Sequence, residues 1–421
     1  YLFDENKDRD IEAIKEKTGD SELVQIELGE LGEDALSSSQ LMVISPGIPV
    51  DAPFTDVVRN AGIPIWSEIE LAYHYGKGKI AAITGTNGKT TTTALVGEIV
   101  KAHNAKTIVV GNIGIPYTEL CDTTDDDSDT VAEISSFQLE TVHSFHPNVS
   151  AILNLTPDHL NRHYTFENYG NVKFSITKNQ TMDDVTVLNY DDEHTRAMGE
   201  KAKDHCHVVY FSRLEKPAGG VYVEDGDIIL EDGDKKINVL AIKDLKLMGA
   251  HNVENVLAAV GISYYMGVPV DVIRDVATSF KAVAHRIEYV DTVDGVAYYN
   301  DSKGTNPDAA IKGIQAMVAP TFLIGGGYDK GSEYDEWIEA FDGKVKWLVL
   351  IGQTAQKIAD CAKRHGFNSI IFEENLQDAV AYCHENAVDG DAVLLSPACA
   401  SWGQFDNYEQ RGDMFKEYVR S

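Results

Sequence analysis

Short apolar, β-branched runs alternate with helical patterns along almost the whole chain. Runs at 79–84, 107–111, 149–154, 184–188, 321–324, 346–351 and 392–396 predict strands. Patterns at 89–103, 166–178, 252–266, 306–317, 354–365 and 404–419 predict helices. Strand–helix alternation of this kind predicts parallel sheets flanked by helices. The stretch 221–239 breaks the rhythm. Its Asp225-Gly226 and Asp232-Gly233 pairs are hairpin signals, as is Asp294-Gly295 further on. The expected fold class is α/β with antiparallel additions. There is no fixed-period repeat and no long linker.

Length and charge narrow the function. A chain of 421 residues has room for about three domains of roughly 150 residues each. Candidate boundaries near 66–77 and 280–284 give segments 1–67, 68–282 and 283–421. Lys and Arg number 36 against 67 Asp and Glu, a net charge of −31. That charge excludes a general nucleic-acid binder and a binder of anionic membranes, which both need basic surface. No apolar run reaches the roughly 18 residues of a membrane span, so no membrane insertion is expected. The start has neither the basic opening nor the apolar core of a signal peptide. The five cysteines are dispersed without a CxxC pair, which fits reduced thiols in a cytoplasm. The acidic run 122–129 reads as a solvated loop.

The sharpest chemical signal is Gly85-Thr86-Asn87-Gly88-Lys89-Thr90, placed between an apolar strand and a helix. Glycines let backbone N–H groups converge on phosphate oxygens, and the helix N-terminus adds a positive dipole. Lys89 can reach the β- and γ-phosphates, and the Thr90 hydroxyl can hold Mg²⁺. The strict pattern has Gly five residues before Gly88, where this chain has Ile83, so the loop is a variant.

Downstream, Glu133 closes a strand, and Asp158 and His159 follow the next strand on a loop expected beside it. A carboxylate at that edge of a parallel sheet can ligate Mg²⁺, although a lone Glu is more often a surface group. Lys173 lies in a helical pattern, where spacing alone favours a solvent-facing lysine.

These motifs together resemble the Mur ligase family. They include Glu133-Ile-Ser-Ser-Phe-Gln-Leu-Glu140, Asn154-Leu-Thr-Pro-Asp-His-Leu-Asn-Arg162, Gly249-Ala-His-Asn-Val-Glu-Asn255, His285-Arg286 and Asn300-Asp-Ser-Lys-Gly-Thr-Asn306. The tail, Leu395-Ser-Pro-Ala-Cys-Ala-Ser401 with Gln404-Phe-Asp-Asn-Tyr-Glu-Gln-Arg-Gly412, resembles the members that add D-glutamate to UDP-N-acetylmuramoyl-L-alanine. Ser45-Pro-Gly-Ile48 fits the same members. The chain begins without Met, at what corresponds to the family's second strand, so a truncated start is expected.

The resemblance implies three domains. These are a Rossmann-like UDP-substrate domain over 1–67 (without its first strand), a central ATPase over 68–282 and a Rossmann-like amino-acid domain over 283–421. It implies an ATP-dependent, ADP-forming ligase of peptidoglycan precursor synthesis, cytoplasmic and working as a monomer. It assigns ATP to Gly85, Thr86, Asn87, Gly88, Lys89, Thr90, Thr91, Asn255, Arg286 and Asp301. It assigns two Mg²⁺ ions to Thr90, Glu133, His159 and Lys173, with Lys173 carbamylated. His285 and Lys303 fall near the reacting groups. Asn112 and Ser135 match contacts to the muramoyl-alanine portion, and Asp4 and Ser45 to the UDP group. Lys303, Thr305, Lys330, Ser401 and Tyr408 surround D-glutamate. Two rivals remain: a sibling ligase adding another amino acid, and a non-catalytic nucleotide-binding subunit of this fold.

Overall fold

The computed structural model describes residues 1–19, 21–112, 114–247, 249–281 and 284–421. The division expected at 282/283 lies outside those residues. The chain forms two compact units. One comprises Tyr1–Lys89 and Asn104–Val209; the other comprises Thr90–His103 and Tyr210–Ser421.

The first unit opens with two separate parallel pairs. β1 (Leu2–Asp4) pairs with β2 (Ile26–Leu28), and β3 (Met42–Ile44) with β4 (Ile65–Ser67). Ser67 then caps the helix Glu68–Tyr75 by accepting from Glu70 N. The fully buried Glu70 carboxylate accepts the backbone N–H groups of His143, Ser144 and Phe145 at 2.7–2.9 Å. Three donors replace the water this carboxylate loses.

The main sheet of this unit contains β5 (Lys79–Thr84), β6 (Ile108–Gly111), β7 (Asp129–Glu133), β8 (Val149–Ile152) and β9 (Val185–Asn189). All pair in parallel, in the order β9-β8-β5-β7-β6. The register sets Ile83 against Glu133, Gly111 against Glu133 and Thr84 against Ile152. The carboxyl ends of the strands therefore finish level, and the loops that follow share one edge, where ligands bind in sheets of this type.

β10 (His207–Ser212) carries the chain into the second unit. There β11 (Gly220–Glu224), β12 (Asp227–Asp232) and β13 (Lys235–Ala241) form the antiparallel stretch expected from the Asp-Gly turns. A separate six-stranded sheet follows. It contains β14 (Glu288–Val293), β15 (Val296–Asn300), β16 (Thr321–Gly325), β17 (Val345–Leu350), β18 (Ile370–Phe372) and β19 (Ala392–Leu395). Its order is β14-β15-β19-β16-β17-β18, parallel except for the β14–β15 hairpin. Side chains alternate between its faces. Leu323, Leu348 and Leu394 pack with Trp337 and Ile358 on one side. Phe322, Ile324, Val349, Val393 and Leu395 pack with Val380 and Phe415 on the other.

Two helix expectations need correction. The pattern at 404–419 becomes a helix only from Tyr408 to Arg420, because Asn407 is its N-cap and accepts from Gln410 N at 2.7 Å. The pattern at 166–178 is an α-helix over Phe166–Phe174 that tightens into a 3₁₀ turn over Ser175–Thr177.

Candidate active site

In the first unit, the strand β5 delivers the chain into the phosphate loop. Asn154 holds that loop: its Oδ1 accepts from Asn87 N at 2.8 Å and its Nδ2 donates to Asn87 O at 3.1 Å. The Thr86 hydroxyl donates to Thr156 O and meets the Tyr169 hydroxyl, both at 3.1 Å. Gly85 and Gly88 take φ of +148° and +84°, conformations open to glycine. Lys89 Nζ curls over the loop, donating to Gly85 O at 3.0 Å and Thr86 O at 2.9 Å. The loop is thus a preformed turn whose ammonium lies against its own carbonyls.

Lys173 is 2% exposed, so the solvent-facing placement favoured by spacing is overturned. Tyr169, Gly170 and Lys173 are the buried stripe of the helix Phe166–Phe174. Lys173 Nζ donates to Gly85 O at 2.9 Å and lies 4.8 Å from the Tyr169 ring centroid. Burial, and then repulsion from Lys89, hold its pKa well below the ordinary lysine value; Asp158 and Glu133 oppose this. Burial therefore favours the neutral form of the amine that the helix presents beside the phosphate loop.

Glu133 ends β7 and is 2% exposed. Its Oε1 accepts from Asn112 Nδ2 at 3.0 Å, while Oε2 is buried with no hydrogen-bond partner among the described residues. A buried, half-satisfied carboxylate is the chemistry a hard cation satisfies, so the site fits Mg²⁺. Gly111, at φ +113°, is required here because a Cβ would strike the Glu133 carbonyl.

Asp158 and His159 lie after β8, with β5 between them and β7, rather than directly beside Glu133. His159 has φ +52°, and its ring meets Phe137 at 4.8 Å. The Ser135 hydroxyl, matched to substrate, also caps the short helix Ser136–Leu139 in a capping box with Gln138. Asp4 and Ser45 line one cavity of about 330 Å³ with Phe3, Arg9 and Phe54.

In the second unit, the level ends of β15, β16 and β19 bring three loops to one edge. Asp301 follows β15 and is fully buried; burial lifts its carboxyl to about 7 against the pull of Ser396, Arg286, Ile287 N and Arg411. Its Oδ2 accepts from Ser396 Oγ at 2.7 Å, and its Oδ1 from Ile287 N at 3.3 Å. Arg286 Nε is a buried donor without a hydrogen-bond partner among the described residues. His285 (φ +64°) packs edge-on to Tyr408, and its carbonyl accepts from Lys303 N at 2.9 Å. Gly412 is obligatory beside it, since a Cβ would overlap His285 Nδ1.

Lys303 Nζ donates to Thr90 Oγ1 at 3.2 Å and lies 5.5 Å from the Tyr408 ring centroid. Thr91 and Asn255 are buried, and Asn255 Oδ1 accepts from Thr92 Oγ1 at 3.3 Å. Thr305 N donates to Lys303 O. Ser401 is buried; the exposed Lys330 lies 5.5 Å from the ring centroid of Trp402, the residue after Ser401.

Four residues that organise these sites received no role from sequence. The Asn154 pairing spans 67 positions and leaves no local signal. Tyr169 stands four residues before Lys173, a spacing that places both on one helical face. Asn300 Nδ2 contacts His285 Nδ1, Glu288 Oε2 and Gly412 O at 3.1–3.2 Å. Arg411 is fully buried and donates to Ser302 Oγ, Ser302 O and Cys399 O at 2.8–3.2 Å.

Comparison with known proteins adds an independent line. The family model described as "Mur ligase middle domain" matches residues 83–263, and "Mur ligase, glutamate ligase domain" matches residues 285–399. A relative from Lachnospira eligens, named UDP-N-acetylmuramoylalanine--D-glutamate ligase, is 56% identical over 420 residues, 100% of this chain and 93% of the relative. One of the same name from Clostridioides difficile is 48% identical over 421 residues, 100% and 92%. Among solved structures, UDP-N-acetylmuramate-alanine ligase MurC from Thermotoga maritima matches with TM-score 0.62 at 20% identity, over 97% of this chain and 90% of that one. MurF from the same organism, in complex with ADP, matches with TM-score 0.60 at 17% identity, over 91% and 96%.

Proposed function

The chain belongs to the Mur ligase family, and from that premise we propose that it is the ATP-dependent, ADP-forming ligase that joins D-glutamate to UDP-N-acetylmuramoyl-L-alanine. One observation carries the reading: near-complete, 56%-identical kinship with a relative of that name. The tail motif ending in Ser401 and the buried Lys173 beside the phosphate loop support it.

A free carboxylate is a poor electrophile, because oxide would have to leave. In the proposed reaction an oxygen of the alanyl carboxylate bonds to the γ-phosphorus of ATP, and the bond to ADP breaks. The amine of D-glutamate then attacks the acyl carbon, and the tetrahedral intermediate expels phosphate. Catalysis is mostly positioning and charge neutralisation.

Gly85, Thr86, Asn87 and Gly88 offer backbone donors to the phosphates, and Lys89 swings from its own loop carbonyls onto the β/γ-oxygens. Thr90, Glu133, His159 and a carbamylated Lys173 would hold two Mg²⁺ ions, which supply charge neutralisation on the transferring phosphoryl group. The neutral Lys173 amine is the form able to bond to CO₂, losing a proton to solvent. An ammonium there would repel a cation, whereas a carbamate offers two oxygens.

Asn255, Arg286 and Asp301 take the adenosine side, with Asp301 accepting from ribose and the unsatisfied Arg286 Nε finding a nucleotide acceptor. Asn112 and Ser135 take the muramoyl-alanine portion, and the cavity holding Asp4 and Ser45 takes the UDP group. His285 and Lys303 stand near the reacting groups. Thr305, Lys330, Ser401 and Tyr408, with Lys303, meet the two carboxylates of D-glutamate. The proposed domains are 1–67 for UDP substrate, 68–282 for ATP and 283–421 for the amino acid. We place the enzyme in the cytoplasm as a monomer: its five cysteines are all buried thiols, and every residue given a role lies on one chain. No helix among the described residues is long and apolar enough to cross a membrane.

The test is ADP release with L-alanine, D-glutamate, a diamino acid and a D-alanyl dipeptide compared side by side. D-glutamate alone is expected to support turnover, and only with the UDP-muramoyl-alanine substrate present. Turnover with another amino acid and none with D-glutamate would make the chain a sibling ligase.

A further inference from the structure

In the amino-acid segment, away from every residue given a role above, three donors of different chemistry converge. A carboxylate oxygen of Asp335, Cys361 Sγ and a ring nitrogen of His365 all lie within 4.8 Å of one another. His365 Nε2 is 2.8 Å from Asp335 Oδ1. We propose that Asp335, Cys361 and His365 form a binding site for a borderline divalent transition-metal ion of the Zn²⁺ type, completed by water.

The backbone builds this arrangement. Cys361 lies in the helix Ala355–Arg364 and His365 caps it, with His365 N donating to Cys361 O at 3.2 Å. Positions i and i+4 project from the same helical face, so the thiol and the imidazole point the same way. Asp335 begins the neighbouring helix Asp335–Glu339, which shares the Trp337–Ile358 core with the first. The carboxyl end of the helix Ala355–Arg364 carries partial negative charge and favours a cation. Glu339 adds another carboxylate, 3.7 Å from His365 Nδ1. The exposed Arg364 lies 3.4 Å from Asp335 and can turn into solvent.

Ligand bonds of about 2.0–2.3 Å place tetrahedral donors roughly 3.3–3.8 Å apart, inside the observed spread of 2.8–4.8 Å. Small side-chain movements suffice. One S, one N and one O donor suit Zn²⁺ or Co²⁺, whereas Mg²⁺ and Ca²⁺ prefer oxygen alone. Binding converts the Cys361 thiol to thiolate, with one proton released to solvent. Cys361 is buried while His365 and Asp335 reach the surface, so an ion can enter from solvent. The bound ion would join the two helices.

The test is a Co²⁺ titration of the whole chain, followed by visible and near-ultraviolet absorption. A thiolate-to-cobalt charge-transfer band saturating at one equivalent is expected, and Zn²⁺ should displace it. Cys361→Ser, a near-isosteric change, should lose the band, and His365→Ala should weaken binding at least about tenfold. Zn²⁺ should raise the unfolding temperature of the wild type more than that of His365→Ala. ADP release in Mg²⁺ should be the same for His365→Ala and wild type. A wild type without the band, a band retained in Cys361→Ser, or an equal Zn²⁺ shift in His365→Ala would each overturn the site.

Discussion

Each unit of the molecule buries a group at its ligand edge that desolvation drives towards neutrality, Lys173 in one and Asp301 in the other, and the fold treats the two in opposite ways. Lys173 is surrounded by acceptors that do not neutralise it: a carbonyl, a hydroxyl and an aromatic face. Repulsion from another cation, Lys89, adds to the cost of charging it, against the weaker pull of Asp158 and Glu133. Asp301 instead receives a hydroxyl and a backbone N–H, and Arg286 and Arg411 pull its carboxyl towards ionisation. Desolvation pushes both towards neutrality; repulsion from Lys89 adds to it at Lys173, whereas every partner of Asp301 opposes it. The first arrangement prepares a reactive amine; the second keeps a fixed acceptor.

Removing the reactive amine breaks the comparison most severely. Lys173→Ala should lower ADP release on the order of a thousandfold, the scale of losing a key electrostatic group. Short carboxylates such as acetate should restore part of it by standing in for the carbamate oxygens. Intact protein mass should show one added CO₂ in the wild type and none in the variant. Wild-type rates in Lys173→Ala would remove Lys173 from the reaction altogether.

The acceptor side depends on Arg411, whose burial holds its pKa down at about 10. Arg411→Met keeps bulk but strands three oxygens on Ser302 and Cys399. It should cost about 3 kcal/mol in urea unfolding, from unsatisfied buried acceptors at about 1–3 kcal/mol each. A loss below about 1 kcal/mol would show that Arg411 is not what holds this edge.

Asp301 gives the comparison a pH signature. Its carboxyl is raised in the folded chain to about 7 from an ordinary value of 3.8. The folded state therefore binds the proton more tightly than the unfolded state. Stability attributable to this group is fully present at acid pH, declines as pH rises from about 4 to 7, and is flat above. Between pH 6 and pH 8 the wild type should lose about 1.4 kcal/mol relative to Asp301→Asn, by proton linkage over one pKa unit. Parallel denaturation curves at the two pH values check it. The absence of a relative change would mean that Asp301 is ionised throughout the range.

The sequence showed which loops carry the chemistry more clearly than it showed how the side chains are held. The strand ends at Thr84 and Glu133 fall where the apolar pattern puts them, and the run expected over 392–396 stops one residue earlier, at Leu395. The helical start at 404 was misplaced because Gln404 and Phe405 suit a helix, whereas the side-chain cap that starts one sits at Asn407. Lys173 looked solvent-facing because helical spacing does not say which face a sheet will cover. Its burial depends on strands some ninety residues earlier in the chain. Asn154, Asn300 and Arg411 were hidden for the same reason: their partners are distant in sequence, and amide and guanidinium groups carry no periodicity.

The finest test separates the two services Tyr169 performs in the first unit. Its hydroxyl meets Thr86 Oγ1 at 3.1 Å, and its ring covers Lys173. Tyr169→Phe removes only the hydroxyl. One neutral hydrogen bond is worth about 1 kcal/mol, so KM for ATP should rise roughly fivefold while kcat and the CO₂ content of Lys173 stay unchanged. Tyr169→Ala also uncovers Lys173 to water, which relieves the desolvation that keeps the amine neutral. Its carbamate occupancy at a given CO₂ pressure should therefore fall, and kcat with it. The two variants must differ for the amine's neutrality to depend on burial. If Tyr169→Ala keeps full CO₂ content, desolvation by this ring is not what sets Lys173 apart from Asp301.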